Sequence, residues 1–194
     1  DTNEIRGHEI LPKSKTSRGK IFNILAIGRF HHEKNFETLL RALVILNNRN
    51  IRLKLIGEGD NDIDYRKFIS HHKLNVEIII PQKNLNRHFE SADICVLPSV
   101  RDPFPNFMLQ AGLHKKPFIG ANVDGIGELI KDGQNGLLFE SRNEYELAEK
   151  IGLFRQNISL AKKCAHNLYN EVIGNYTQEF IIPKINKLYM ELIK

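Results

Sequence analysis

Short apolar runs alternate along this chain with stretches whose apolar positions recur every three or four residues. Phe22-Asn23-Ile24-Leu25-Ala26-Ile27-Gly28 is an apolar run ending on glycine, the pattern of a buried strand. Phe36, Leu39, Leu40, Leu43 and Leu46 then fall at helical spacing, with Asn35 placed to cap the helix and Glu37 in its first turn. The stretch 52–56 predicts a second strand, which meets a turn at Gly57-Glu58-Gly59-Asp60. The unit then repeats: helix over 63–71, strand over 76–80 stopped by Pro81, short helix over 85–90, strand over 94–97 stopped by Pro98. A helix over 106–113, a strand over 117–121, a short helix over 126–130 and a last small strand over 137–139 follow, with a Gly133-Gln134-Asn135-Gly136 turn before that strand. Asn143 caps a further helix through Phe154, and two more helical stretches end the chain.

Strands alternating with ten-residue helical patterns indicate βαβ units, so the expected fold is α/β, a Rossmann-like doubly wound parallel sheet. The strands read as apolar on both faces, as strands covered by helices should. Ligands of such sheets sit outside the carboxyl ends of the strands. Those ends are Gly28-Arg29, Gly57-Glu58-Gly59, Pro81-Gln82-Lys83, Pro98-Ser99 and Ala121-Asn122-Val123-Asp124-Gly125. Residues 1–20 are polar, contain Pro12 and a Lys/Ser/Thr stretch, and read as an incoming linker.

Composition narrows the partners. The 194 residues carry a formal net charge of +5, and 41% of them are hydrophobic, enough for one domain with a sizeable core. The basic surplus favours anionic ligands: nucleotides, phosphorylated lipids or an anionic membrane surface. Beyond Lys13, Lys15, Arg18 and Lys20 the cations are dispersed, so nucleic acid is not expected as a partner. No apolar run is long enough to cross a bilayer and no signal-peptide pattern opens the chain, so the expected place is the cytoplasm, with the inner face of the membrane as a peripheral alternative. The two cysteines, Cys95 and Cys164, lie in apolar patterns without metal or redox spacing and read as core thiols.

Gly28-Arg29 closes the first strand and Lys34 stands before the next helix. Glycine lets backbone approach a ligand, arginine offers phosphate a planar fork, and lysine adds a point charge. By itself the pair also reads as two solvated surface charges. The chain has no GxxxxGK[ST] loop, and Gly57-x-Gly59 lacks the third glycine of a dinucleotide fingerprint. The most informative stretch runs from Pro98 to Ala111 and opens a helix whose free amides can meet an anion or a sugar hydroxyl. Pro103 and Pro105 have no amide hydrogen, so donors come from Phe104, Asn106 or Phe107. On spacing alone, Asp102 reads as an ordinary cap and Gln110 as an exposed helix residue.

Taken in order, these segments resemble the retaining GT-B glycosyltransferases of the large family four type, the group 1 glycosyl transferases. The Asp102 to Gln110 stretch is similar to that family's Glu-Gly-Phe-Gly/Pro-x-x-x-x-Glu-Ala, with the same separation between the two end residues. Gly28-Arg29-Phe30-His31-His32-Glu33-Lys34 matches Gly-Arg-x-x-x-Glu-Lys, and Gly57-Glu58-Gly59 matches Gly-x-Gly after the second strand. Ser91 to Ser99, Lys116-Pro117, Gly125 to Leu129 and Asp132 to Leu138 match the family's Ala-Asp-x-x-Val-Leu-Pro-Ser, Lys-Pro, Gly-Gly-x-x-Glu-Leu and Asp-Gly-x-x-Gly-Leu-Leu.

The resemblance implies the C-terminal, donor-binding half of a GT-B enzyme: a linker over 1–20 from an N-terminal acceptor domain, a nucleotide-sugar domain over 21–174, and a C-terminal helix over 175–194. It implies that Arg29 and Lys34 hold the diphosphate of a UDP-, GDP- or ADP-sugar. Asp102 then contacts the sugar, the amides of Phe104, Asn106 and Phe107 face sugar and phosphate, and Gln110 takes the ribose. Gly28, Gly57, Gln82 and Lys83 border the nucleotide, and neither a metal nor a cofactor is called for. Asp102, Arg29 and Lys34 would carry the catalysis, in transfer of sugar to a glycan or lipid-linked acceptor. Two residues depart from the pattern: Asp102 is a methylene shorter than glutamate, and Gln110 is neutral, which opens an alternative as a non-catalytic nucleotide-sugar-binding or scaffold domain. An epimerase or a phosphorylase of the same fold is a third reading.

Overall fold

In the computed structural model, residues 20–193 are described. The linker expected over 1–20 therefore lies, up to residue 19, outside the described residues. The first half of the fold comprises β1 (Phe22–Ile27), α1 (Phe36–Leu46), β2 (Ile51–Ile56), α2 (Asp62–His72), β3 (Val76–Ile79) and α3 (Asn86–Ser91). The second comprises β4 (Ile94–Leu97), α4 (Asn106–Leu113), β5 (Phe118–Ala121), α5 (Asp124–Leu129) and β6 (Leu137–Phe139). Three helices complete it: α6 (Glu144–Gln156), α7 (Ile158–Asn175) and α8 (Gln178–Leu192).

The strands form one six-stranded sheet in the order β3-β2-β1-β4-β5-β6, every pairing parallel. Strand order reverses direction between β1 and β4, which makes that crevice the topological switch point of an α/β sheet. Right-handed crossovers then put α1 and α2 on one face, and α3, α4 and α5 on the other. After β6 the chain returns along both faces: α6 packs on α1, and α7 on α4.

The core follows from burial on both sides of the middle strands. Every residue of β4 and β5 is buried, and Phe30, Phe36, Phe118, Phe139 and Phe154 are almost wholly enclosed. Each such side chain contributes about 1.5–3 kcal/mol of burial. Apolarity on both faces does not extend to β2 and β3. Arg52 and Lys54 on β2 are half-buried, Lys54 reaching Ser91 Oγ at 3.1 Å, and Glu77 on the edge strand β3 is exposed. Their cover is thinner, and long cationic stems keep their heads in water.

Capping divides the same way. Asn143 caps α6 as its sequence suggests, its Oδ1 accepting from Glu146 N at 3.0 Å. Asn35 does not cap α1. It sits in the left-handed region (φ 49°), and its amide nitrogen donates to Thr38 Oγ1 and to Pro98 O instead. A tertiary contact from the β4 end has taken the side chain that local sequence assigned to the helix start. The last helix, α8, buries none of its residues.

Two changes on α6 should move stability in opposite directions. Asn143→Ala removes the cap and should cost about 1 kcal/mol. Gly152→Ala adds a methyl where nothing lies within 4 Å and should add about 0.5–1 kcal/mol. Urea unfolding checks both, and a loss of stability in the Gly152 variant would contradict the open space beside that helix. Cys95 and Cys164 are both buried, and burial pushes both thiols up, away from the reactive thiolate. Ellman's reagent should find neither thiol in the folded chain and both in denaturant.

Candidate functional site

At the carboxyl edge of the sheet, the loops that leave β1, β2, β4 and β5 are joined to one another by their own backbones. Phe30 N donates to Glu58 O at 2.8 Å, and Asn61 N to Phe30 O at 3.1 Å, which ties the first two loops together. The contact needs glycine: a Cβ on Gly57 would run into the carbonyl of Gly28 and the ring of Phe30. Val100 N donates to Glu33 O at 2.8 Å and bridges the switch point itself. Across the next gap, a Cβ on Gly125 would overlap the carbonyl of Pro103, so the α5 start lies directly on the loop after β4.

The site's charges sit on this frame. Lys34 Nζ donates to Asp102 Oδ2 at 2.5 Å, and the ion pair spans the crevice between the β1 and β4 loops. Ser99 Oγ adds a second hydrogen bond to the same oxygen at 3.2 Å. The Asp102 side chain is 7% exposed, against 27% for Lys34. Asp102 is thus not the helix cap that its spacing suggests. The N-cap position of α4 belongs to Pro105, and no side chain caps that helix. The backbone N–H of Asp102 donates to Asp124 Oδ2 at 2.9 Å.

Arg29 is exposed beside this pair and has no ion-pair partner among the described residues. It lines a cleft of about 420 Å³ with Gly28, Gly57, Glu58, Pro81 and Gln82, at the carboxyl ends of β1 to β3. Gln82 Oε1 lies 3.1 Å from His88 Nε2, which holds that side chain against α3. Phe104 is partly exposed and leans on Tyr176 at 5.3 Å between centroids, so the end of α7 supports the loop. Asn106 and Phe107 open α4 with amides that no side chain caps, while the Phe107 ring itself is buried against Phe89 and Phe118.

A larger hollow of about 740 Å³ lies at the opposite, amino edge of the sheet, between Phe22, Asp93, Lys116 and Phe154. It is lined by none of the candidate donor-site residues, although the Lys116-Pro117 motif borders it. Ligand chemistry of parallel sheets belongs to the carboxyl edge, so the smaller cleft is the candidate site.

Most of the predicted residues converge there. Gly28, Arg29, Gly57 and Gln82 share the cleft, and Lys34 and Asp102 are in contact beside it. Phe104, Asn106 and Phe107 form the loop and helix start next to Asp102. Lys83 is exposed and outside the cleft lining, and Gln110 is exposed one turn into α4. Two residues were missed. Ser99 stood in the sequence motif but was given no role, although a hydroxyl three residues from a buried acid is a usable signal. Asp124 lies at a strand end named from the sequence, but its acceptor role has no local signal, because its partner lies 22 residues away. Among the described residues, no group of three or more His, Cys, Asp or Glu side chains is placed to hold a metal ion, and no helix is long and apolar enough to cross a membrane.

Known proteins share this fold. The chain is 27% identical to an uncharacterised glycosyltransferase of Methanocaldococcus jannaschii, over 88% of this chain and 46% of that protein. It is 30% identical to the N,N'-diacetylbacillosaminyl-diphospho-undecaprenol alpha-1,3-N-acetylgalactosaminyltransferase of Campylobacter jejuni, over 88% of this chain and 45% of that one. The chain thus spans about half the length of the curated relatives it matches. Among solved structures, a glycosyltransferase from Rickettsia africae superposes with a TM-score of 0.84 at 24% identity, over 91% of this chain and 49% of its own. Anabaena HepE, solved with UDP-glucose, gives 0.78 at 22% identity, over 89% and 48%. The C-terminal domain of the Francisella tularensis glycosyl transferase LpcC gives 0.71 at 24% identity, over 81% of this chain and 87% of that domain. These likenesses establish the GT-B type of α/β fold. The family model for glycosyl transferases group 1 matches residues 21–157, nearly all of the sheet and its covering helices, and the chain belongs to that family.

Proposed function

We propose that this chain is the donor-binding domain of a retaining glycosyltransferase, which moves a sugar from a UDP-, GDP- or ADP-sugar to a glycan or lipid-linked acceptor. The observation that carries the reading is the meeting, at the switch point, of an unpaired Arg29, the Lys34–Asp102 pair and the uncapped start of α4. Anabaena HepE's complex with UDP-glucose and the Campylobacter enzyme's lipid-linked acceptor support the substrate classes. The length match to the C-terminal domain of LpcC supports the placing within a GT-B enzyme.

In this reading the nucleoside lies in the cleft between Gly28, Gly57 and Gln82, and the diphosphate points toward Arg29 and Lys34. Transfer breaks the bond between the sugar's anomeric carbon and the diphosphate oxygen, so negative charge grows on the leaving phosphate. Fixed cations and helix amides stabilise such charge without reorganising. Lys34 has three N–H donors and gives one to Asp102, which leaves two for phosphate. Asp102, held by Lys34 and Ser99, accepts from sugar hydroxyls, and Gln110 accepts from the ribose. The acceptor wall belongs to the part of the protein that matches the remaining half of the relatives. The net charge of +5 suits peripheral binding at an anionic membrane surface.

Calorimetry with UDP, GDP and ADP, with and without a chelator, tests the site. Binding of one of them, unchanged by chelator, is expected. Arg29→Ala should weaken the diphosphate by about 1.5–3 kcal/mol, roughly one to two orders of magnitude, and hardly affect the nucleoside. Lys34→Ala should do the same and also destabilise the fold, because Asp102 is left buried without its cation. Equal losses for nucleoside and diphosphate would remove both residues from the donor site.

The neutral Gln110 favours a second reading, a non-catalytic nucleotide-sugar-binding domain. Holding donor and acceptor together contributes about 7–11 kcal/mol to such a reaction, and this chain holds one of them. Radiolabelled transfer should therefore be absent with the 194-residue chain and present once an acceptor domain is supplied. Transfer by the chain alone would overturn the half-enzyme reading, and silence of the joined protein across several donors would establish the non-catalytic one.

A further inference from the structure

Asp124 opens α5 with a backbone that few residues accept: its φ is 38°, in the left-handed region. For a residue other than glycine, such a conformation is strained and persists only where its surroundings hold it. Counted back from Glu128-Leu129, Asp124 stands at the first glycine of the Gly-Gly-x-x-Glu-Leu pattern, which matches that backbone without explaining an aspartate. What the side chain does is on the far side of the crevice. Its Oδ2 accepts the backbone N–H of Asp102 at 2.9 Å, while Gly125, next in the chain, packs against Pro103.

Beside Ser99 of its own loop, Asp102 is thus held from two other loops. The β1 loop holds its carboxylate through Lys34, and the β5 loop holds its backbone through Asp124. Lys34 alone would leave the peptide free to turn about the ion pair. A hydrogen bond from an amide to a carboxylate is charge-assisted and directional, so it fixes the plane of that peptide. Asp124 itself is exposed and has no ion-pair partner among the described residues, so this amide is the polar group that it serves.

We propose that Asp124 is a positioning residue of the donor site: it fixes the backbone of Asp102 so that the Asp102 carboxylate and the following loop face the donor's sugar. The proposal rests on the donor-site reading above and adds a residue from a third loop, one that acts through Asp102.

Two substitutions separate the hydrogen bond from the backbone conformation. Asp124→Asn keeps an acceptor oxygen and tolerates the left-handed region; Asp124→Gly is at ease in that region but has no acceptor. The first measurement is amide hydrogen exchange of Asp102 in the ligand-free chain. The wild-type chain and the Asn variant should protect that amide alike, and the Gly variant should expose it at least ten-fold. The second is calorimetry with UDP and UDP-glucose, or with GDP or ADP and its glucose conjugate if that nucleotide binds better. Asp124→Gly should weaken the sugar conjugate at least five-fold more than the bare diphosphate. Asp124→Asn should change the ratio less than two-fold, and both variants should melt near the wild type. Unchanged Asp102 exchange in the Gly variant, or an unchanged ratio with a lower melting temperature, would make Asp124 an ordinary structural contact and overturn the proposal. Failure of the wild-type chain to bind any nucleoside diphosphate would overturn the donor reading and this role with it, while the exchange result would still show whether Asp124 holds the loop.

Discussion

Everything at the carboxyl edge depends on one ion pair spanning the gap where the sheet changes direction. Lys34 and Asp102 come from loops that follow β1 and β4, strands adjacent in space and far apart in sequence. A carboxyl group that is 7% exposed is buried at acceptable cost only with hydrogen-bond partners. Lys34 and Ser99 supply those partners, both at Oδ2, while Asp124 holds the backbone of the same residue. The pair also balances its own charge, which leaves Arg29 as the cation among the residues that line the neighbouring cleft.

Loops are poor places for precise chemistry unless something rigid holds them. Here the holding is done by backbone lying on backbone. Gly57 lets the β2 loop lie on Gly28 and Phe30, and Gly125 lets α5 lie on Pro103. Phe30 anchors the first of these from below, buried in edge-to-face contact with Phe36 and Tyr65. The order of the site is therefore an extension of the aromatic core into the loops.

Much of this was legible in the sequence, and the parts that were not have a common cause. The bounds of α1, β4, α4 and β6 follow from apolar spacing and flanking prolines, because those elements bury a full face or both faces. Gly28, Arg29 and Gly57, read at strand ends through the family pattern rather than from their own spacing, meet in the cleft. Asn35 misled because its side chain answers Pro98 rather than its own helix, and Asp102 because its partner is a lysine from another loop. Asp124 stands at a glycine position of the family pattern, which hints at its left-handed backbone, but its acceptor role exists only once β4 and β5 are side by side. Sequence pattern reports what a residue does for its own element, and these residues act for a neighbouring one.

The sheet's order has a bearing on how the chain comes into being. β1 pairs with β2 promptly, but its other edge waits for β4, in a register that joins Ile24 to Ile94. During synthesis that edge, carrying wholly buried Ile24, Leu25 and Ala26, stays open until about seventy more residues have emerged, a few seconds or more at ordinary elongation rates. Long-range parallel pairing is slow to form, and an apolar edge without its partner is a place for other chains to add. The same central strand whose carboxyl end borders the candidate cleft is thus the part of the molecule most in need of protection before the fold closes.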